Sequence, residues 1–227
     1  MILTRRTLLS LGASILAIAA TGVWADTATT PPPATAPADP NAAAPVDAGT
    51  VLDYGIGDAK AKVKMVEYLS FTCSHCEHFH AEVYPKLKAN YIDTGKLRLD
   101  YHEVYFDQLG LLGAMLARCG GEMRYMGIVD MLYDKQKDWA GAADMNAVTD
   151  QLKKIGRAAG MDDASVDTCL HDQKAAEALV AHYQANIAKD YPNASFQGTP
   201  SFIINGTKYA NMAYEDMAKI IDTELAK

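Results

Sequence analysis

The chain has 227 residues, of which 49% are hydrophobic and 22% charged, which suits one globular domain or one domain with an insertion. The formal net charge of −7 argues against nucleic acid as the main partner, because phosphate binding needs a basic face. Four cysteines are too few for a small fold built on disulfides.

Residues 1–25 have the pattern of a secretory signal peptide. Arg5 and Arg6 precede an uncharged stretch that ends at Trp24, and small residues at Val23 and Ala25 suit signal peptidase cleavage. An uncleaved membrane anchor is the alternative, although the stretch is slightly short for a span of about 20 residues. The paired arginines also partly resemble a twin-arginine signal. By either route we expect export to the periplasm, where disulfides persist.

Residues 26–50 are predicted to be a disordered linker. They consist mostly of Pro, Ala, Thr and Asp and contain no aromatic residue. Such a segment cannot bury enough apolar surface to offset the conformational entropy lost on ordering. The folded domain is therefore expected to begin near Val51.

The first part of the domain, residues 51–107, has the pattern of a strand, a helix and a second strand. Val63–Leu69 is a short, largely apolar run typical of a strand covered on both faces. Helical spacing follows from Cys73 to about Tyr91, with a kink expected at Pro85. The second strand is predicted from Lys96 to Phe106.

Residues 108–190 have a helical pattern, with breaks expected at Gly120-Gly121, near Gly141 and at Gly160. The last part, residues 191–227, contains a third strand at 201–204, a two-residue turn at Asn205-Gly206, a returning strand and a terminal helix. This order predicts an α/β fold with a mixed sheet and a helical insertion.

A Cys-x-x-Cys motif, Cys73-Ser74-His75-Cys76, lies directly after the first strand and opens the following helix. Unpaired N–H groups and the helix dipole stabilise a thiolate at Cys73, and His75 adds a donor or a positive charge. Cys76 lies one turn inside and is expected to be more shielded. The alternative is a plain stabilising disulfide, but so short a loop gains little loop entropy.

Two segments resemble the DsbA-like thiol:disulfide oxidoreductases. Residues 66–76, VEYLSFTCSHC, are similar to the active-site segment of that family, and residues 196–206, FQGTPSFIING, are similar to its second signature. The resemblance covers about Val51 to Leu225 and implies a thioredoxin fold with an inserted α-helical domain and no cofactor. Ser74 departs from the proline of the best-known oxidases, and the redox potential depends on this dipeptide.

The resemblance also assigns roles to Thr199, Pro200 and Glu67. It implies a cis Pro200 against the cysteine pair, with the Thr199 backbone turned toward an incoming peptide that could add as a strand. From the residues alone, a trans proline at a strand entry is preferred. The resemblance places Glu67 beneath the active site, and our hypothesis is a proton relay for Cys76. The alternative is that Glu67 points to solvent at a sheet edge.

His78 and His80 follow the motif, and Cys76 and His80 share a helix face, so a zinc or copper site is one reading. We interpret both histidines as solvated helix residues and assign no metal.

Cys119 and Cys169 are predicted to form a structural disulfide because the expected periplasmic location favours disulfides, and similar pairs occur in a subgroup of the family. The alternative is two buried free thiols.

The sequence therefore predicts a periplasmic enzyme that introduces disulfides into exported proteins by exchange at Cys73 and Cys76. Its expected partners are unfolded or reduced exported proteins and, by the resemblance, a DsbB-like membrane reoxidant. We expect a monomer. A reductase or isomerase on the same fold and a metal-binding thioredoxin-like protein are the alternatives.

Overall fold

The computed structural model of the protein describes residues 51–227. The predicted signal peptide, 1–25, and linker, 26–50, lie outside the described residues. Between residues 51 and 227, every helix is too short or too polar to cross a membrane.

Five strands and nine α-helices follow one another in the described part of the chain. The strands are β1 (Gly55–Ile56), β2 (Val63–Leu69), β3 (Leu97–Glu103), β4 (Ser201–Ile204) and β5 (Thr207–Ala210). The helices are α1 (Ser74–Glu82), α2 (Tyr84–Leu87), α3 (Gln108–Cys119), α4 (Gly121–Asp134), α5 (Gln136–Ala140), α6 (Met145–Ala158), α7 (Asp163–Leu170), α8 (Gln173–Asp190) and α9 (Tyr214–Ala226). A π-helical turn continues α2 over Lys88–Ile92, and a 3-10 turn covers Pro192–Ala194.

The five strands form one mixed sheet in the order β1-β3-β2-β4-β5. The central strand, β2, pairs parallel with β3 and antiparallel with β4, so Glu67 lies between Tyr101 and Phe202. The α/β class predicted from the sequence is confirmed. Strand β1 was not predicted because two residues, Gly55 and Ile56, are too short for a periodic signal.

The two faces of β2 contribute to different parts of the core, as alternation along a strand requires. Met65 and Leu69 belong to the main core, whereas Tyr68 on the other face packs with Val104 and Tyr191. Glu67 shares the face of Met65 and Leu69 and is completely buried. The central strand therefore carries an acid into the apolar layer beneath α1.

Aspartate side chains begin four of the helices in the insertion. Each accepts a hydrogen bond from the backbone N–H three residues further on, which satisfies one of the donors left free at a helix start. These residues are Asp107, Asp144, Asp162 and Asp172. The predicted breaks at Gly120-Gly121, Gly141 and Gly160 separate helices, and the helix after the motif breaks at Val83, with Pro85 in the first turn of α2. Further breaks, at Lys135 and His171, lack glycine or proline and were missed.

A buried ion pair fixes the insertion to the sheet at the end of β3. The Arg118 guanidinium donates to both carboxylate oxygens of Glu103, at 2.9 and 2.6 Å, and to the Leu52 carbonyl at 2.7 Å. The Tyr125 hydroxyl donates to Glu103 at 2.6 Å. Because Glu103 pairs in register with Leu69, the contact holds α3 close to the end of β2, where the motif begins.

A disulfide joins Cys119 at the end of α3 to Cys169 in α7, with the two Cα atoms 6.0 Å apart. It closes a loop across three helices of the insertion. Such a bond removes conformations that the unfolded chain would otherwise sample.

Replacing both Cys119 and Cys169 by serine should therefore lower the free energy of unfolding by about 4 kcal/mol, the chain-entropy value for a separation of 50 residues. Urea unfolding measures this, with Cys73 and Cys76 also replaced by serine in every sample. Reduced and oxidised forms of the parent provide the matched control. A double variant as stable as the oxidised parent would contradict the prediction, as would peptide maps without the bond.

Candidate active site

The Cys-x-x-Cys motif lies where β2 meets α1. Strand β2 ends at Leu69, and Cys73 stands in extended conformation as the cap residue before Ser74. The Cys73 carbonyl accepts the Glu77 N–H at 3.1 Å, so the helix starts directly at the motif. This placement was predicted from the sequence and leaves the Cys73 side chain beside free amide groups.

The insertion holds the loop that carries the motif. Buried Gln136 donates from its amide nitrogen to the Phe71 carbonyl at 2.9 Å and to the Cys73 carbonyl at 3.1 Å. The Tyr133 hydroxyl donates to the Ser70 carbonyl at 3.3 Å. The Thr72 hydroxyl donates to Asp107 at 2.8 Å. Gln136 and Tyr133 therefore hold the backbone of the loop, and Asp107 holds the Thr72 side chain.

Cys73 and Cys76 are free thiols in this structure, and they differ sharply in environment. Partly buried Cys73 has its pKa lowered to about 5, chiefly because the Cys76 thiol donates a hydrogen bond to its thiolate. Burial opposes this shift, while the Thr199 side chain and the backbone N–H groups of Cys76 and His75 add to it. The Cys73 sulfur can therefore carry a negative charge at neutral pH.

Cys76 is completely buried. Burial raises the pKa of its thiol far above the usual range, and the charges of Cys73 and Glu67 raise it further. The two sulfurs thus have opposite tendencies: the outer one ionises readily and the inner one retains its proton.

The chain around Pro200 covers the motif from the other side. The Thr199–Pro200 peptide bond is cis, and the Cys73 thiol donates to the Thr199 carbonyl at 3.3 Å. The Thr199 hydroxyl has no other hydrogen-bond partner among the described residues, so it is available to donate to the thiolate. The structure therefore brings Thr199 of the second signature to the reactive sulfur, with a cis bond to Pro200 directly after it.

Glu67 and His80 form a buried pair behind the cysteines. Glu67 is completely buried on the central strand, so the alternative of an exposed acid at a sheet edge is wrong. The His80 Nε2 atom lies 3.5 Å from Glu67 Oε2, and the His80 side chain is 3% exposed. The interpretation of His80 as a solvated histidine is therefore also wrong, whereas His78 is exposed. Between residues 51 and 227, no group of three or more His, Cys, Asp or Glu side chains could hold a metal ion.

His75 lies on the surface of α1 and acts on Cys73 through its backbone N–H. The sequence predicts that the His75 imidazole also acts on Cys73, as a donor or a positive charge, and this stays a prediction.

A family model described as thioredoxin matches residues 50–223. The chain belongs to the thioredoxin family. A Rickettsia bellii relative named as a protein-disulfide oxidoreductase is 33% identical over 171 residues, which cover 75% of this chain and 63% of the relative. This chain spans about three fifths of the length of its Rickettsia relatives.

Two further proteins extend the comparison within the thioredoxin family. A Bacillus anthracis relative, named as a probable disulfide bond formation protein D, is 30% identical over 189 residues, covering 76% of this chain and 78% of the relative. The crystal structure of Wolbachia pipientis α-DsbA1 superposes with a TM-score of 0.68 at 26% identity, covering 78% of this chain and 92% of that one. The expected resemblance to DsbA-like proteins and the expected thioredoxin fold with a helical insertion are confirmed.

Several residues that shape this thioredoxin-family site were missed by the sequence analysis. Gln136 and Tyr133 lie about 60 residues from the carbonyls they bind, and nothing local distinguishes them from other polar or aromatic helix residues. Asp107 did carry a signal, since an aspartate before an apolar helix is a typical cap. The burial of His80 depends on tyrosines from other helices, which the pattern of α1 alone does not contain.

The thiolate absorbance of the reduced protein should titrate with a midpoint near pH 5 for Cys73. Cys76→Ala removes the strongest hydrogen bond to that thiolate, so the midpoint should move upward toward that of ordinary cysteine. His78→Ala, on the exposed side of the same helix, is the matched control and should leave the midpoint unchanged. A wild-type midpoint near that of free cysteine would contradict this account of the site.

Proposed function

We propose that the protein is a periplasmic thiol:disulfide oxidoreductase that introduces disulfides into exported proteins by exchange at Cys73 and Cys76. The observation that carries the proposal is the opposite behaviour of the two sulfurs, with an acidic thiol outside and a protonated thiol inside. The names of the relatives from Rickettsia and Bacillus support an activity on disulfides.

In the proposed reaction, a client thiolate attacks the Cys73 sulfur of the oxidised protein. The bond between Cys73 and Cys76 breaks, a mixed disulfide forms, and Cys76 leaves as a thiolate that takes up a proton. A second client thiolate then attacks the client sulfur, and Cys73 leaves as a stabilised thiolate. The client loses two electrons, and the protein is left as the reduced pair.

The proposed oxidising direction follows from the stabilisation of a negative charge on the Cys73 sulfur in the reduced protein. A lowered pKa of Cys73 favours the reduced protein above pH 5, and this advantage fades as the pH falls through that value. An ordinary thiol gains the same stabilisation only above its own pKa of about 8.5. Between these two pH values Cys73 is ionised and a client thiol is not, so only the reduced protein gains this stabilisation. Electrons therefore pass from client thiols to the Cys73–Cys76 pair.

The proposed cellular setting follows the sequence analysis. The signal-like residues 1–25 support a periplasmic location, where newly exported proteins need disulfides. We further propose that the protein acts as a monomer and that a DsbB-like membrane protein reoxidises the cysteine pair.

Equilibration with glutathione tests the proposed direction of electron transfer, from thiols to the Cys73–Cys76 disulfide. From about pH 5 to about pH 8, the constant for reduction of the Cys73–Cys76 disulfide should rise about tenfold per pH unit, because one proton is released. Below pH 5 it should level off. The populations are measured by alkylating free thiols and separating the products.

The standard reduction potential of the Cys73–Cys76 disulfide distinguishes an oxidase from a reductase. A value near the −120 mV typical of the strong oxidant DsbA fits the proposal, whereas one near the −270 mV typical of thioredoxin would reject it in favour of a reductase.

In the same assay, Thr199→Val should make the disulfide harder to reduce, because the thiolate loses a hydroxyl donor. Thr199→Ser retains the hydroxyl and is the matched control.

Glu67→Gln tests the proposed proton relay. The variant should lower the pKa of Cys76, because the neighbouring negative charge is lost, and should alter the pH dependence of thiol exchange. The titration midpoint of Cys73 is the internal control and should stay near pH 5, since the largest contributions to its pKa come from Cys76, Thr199 and backbone N–H groups. Unchanged pH dependence of exchange would remove the relay role from Glu67.

A further inference from the structure

Glu67 is enclosed so completely that its own proton supply needs an explanation. Both carboxylate oxygens are buried and have no hydrogen-bond partner within residues 51–227. The His80 imidazole lies beside it, with the Nε2 atom 3.5 Å from Oε2. A carboxyl group that passes protons to Cys76 must recover them from solvent, and His80 lies beside it.

The His80 ring is held in a stack of tyrosines. It stacks on Tyr133 from α4, with the ring centres 4.3 Å apart and the planes at 27°, and Tyr84 from α2 lies at 4.9 Å with its plane at 31°. Tyr101 from β3 lies at 6.1 Å, and the Asp130 carboxylate of α4 also acts on His80 electrostatically. Both ring nitrogens lack a hydrogen-bond partner in the described part of the chain.

A cavity of about 350 Å³ connects this stack to the surface between α1, α2 and α4. His80 forms part of its wall, and charged side chains surround its mouth. Its lining includes Glu77, Tyr84, Lys88, Asp130, Tyr133 and Asp134. The volume is sufficient for several water molecules, and the charged side chains of the lining can bind them.

We propose that His80 transfers protons between water in this cavity and Glu67, and thereby sets the protonation of Cys76 during exchange. The inference rests on the proposed function, since it concerns the proton that Cys76 takes up as a leaving group. In this path His80 acts on Cys76 only through Glu67, so it is a positioning residue.

The proton balance of the step is simple. When the Cys73–Cys76 bond is broken by a client thiolate, the Cys76 thiolate takes the proton of the Glu67 carboxyl group. The Glu67 carboxylate then takes a proton from the His80 imidazolium, and the neutral imidazole recovers one from water in the cavity. One proton enters from solvent, and no electrons move along this path. Imidazole suits the role because one ring nitrogen can accept a proton while the other donates one.

The other explanation of His80 is packing alone, because its ring fills a gap between tyrosines. His80→Phe separates the two, since phenylalanine keeps an aromatic ring and has no ring nitrogen. His78→Phe, on the exposed side of α1, is the matched control.

The measured quantity is the single-turnover rate at which the oxidised protein oxidises a reduced two-cysteine peptide, from pH 5 to pH 8. We expect His80→Phe to slow this rate at least about tenfold at neutral pH and to change the shape of its pH profile, as loss of proton transfer does. The control should match wild type. In combination with Glu67→Gln, His80→Phe should add little further slowing, because both act on one path.

His80→Ala gives a second test that does not depend on the phenylalanine variant. Removing the ring enlarges the cavity, so free imidazole added to the solution should enter and restore the rate in proportion to its concentration. Imidazole should leave wild type and the His78 control unaffected.

Three results would count against the proposal or its basis. A His80→Phe rate and pH profile equal to those of wild type would overturn the inference and leave the oxidase function intact. Equal slowing at every pH, with a lower melting temperature and no rescue of His80→Ala by imidazole, would assign His80 to packing and also overturn it. Wild-type protein that fails to oxidise the peptide would overturn the proposed function itself.

Discussion

The chemistry of this protein depends on how well the Cys73 sulfur holds a negative charge. The charge is stabilised by a neighbouring thiol, by two backbone amides at the start of α1 and by the Thr199 side chain. The two amides belong to the helix backbone, so they need little reorganisation when the charge forms. Burial works against the thiolate, and the donors outweigh it.

The same arrangement makes the inner cysteine a poor acid. Cys76 is enclosed by the core and lies near the buried Glu67, so a negative charge there is costly. The pair therefore divides its work: the outer sulfur exchanges with partners, and the inner sulfur requires a proton whenever it leaves. The Glu67–His80 pair and the adjoining cavity provide groups that suit this requirement.

Local signals were sufficient to predict much of this fold. The apolar run Val63–Leu69, the motif at a helix start and the glycine breaks of the insertion are encoded within a few residues of the elements they define. The burial of Glu67 also followed from its neighbours in the strand. By contrast, the setting of His80 and the contacts of Gln136 depend on residues more than 50 positions away, which no local pattern contains. Strand β1 forms because β3 offers it a partner, and its own two residues carry no strand signal.

Asp107 has two connections that belong to different parts of the molecule. One carboxylate oxygen caps α3 by accepting the Gly110 N–H at 2.7 Å, and the other accepts the Thr72 hydroxyl next to the reactive cysteine. A single side chain is thus both the first anchor of the insertion and a support of the motif. Loss of this one carboxylate would therefore loosen the start of α3 and the loop before Cys73 at the same time.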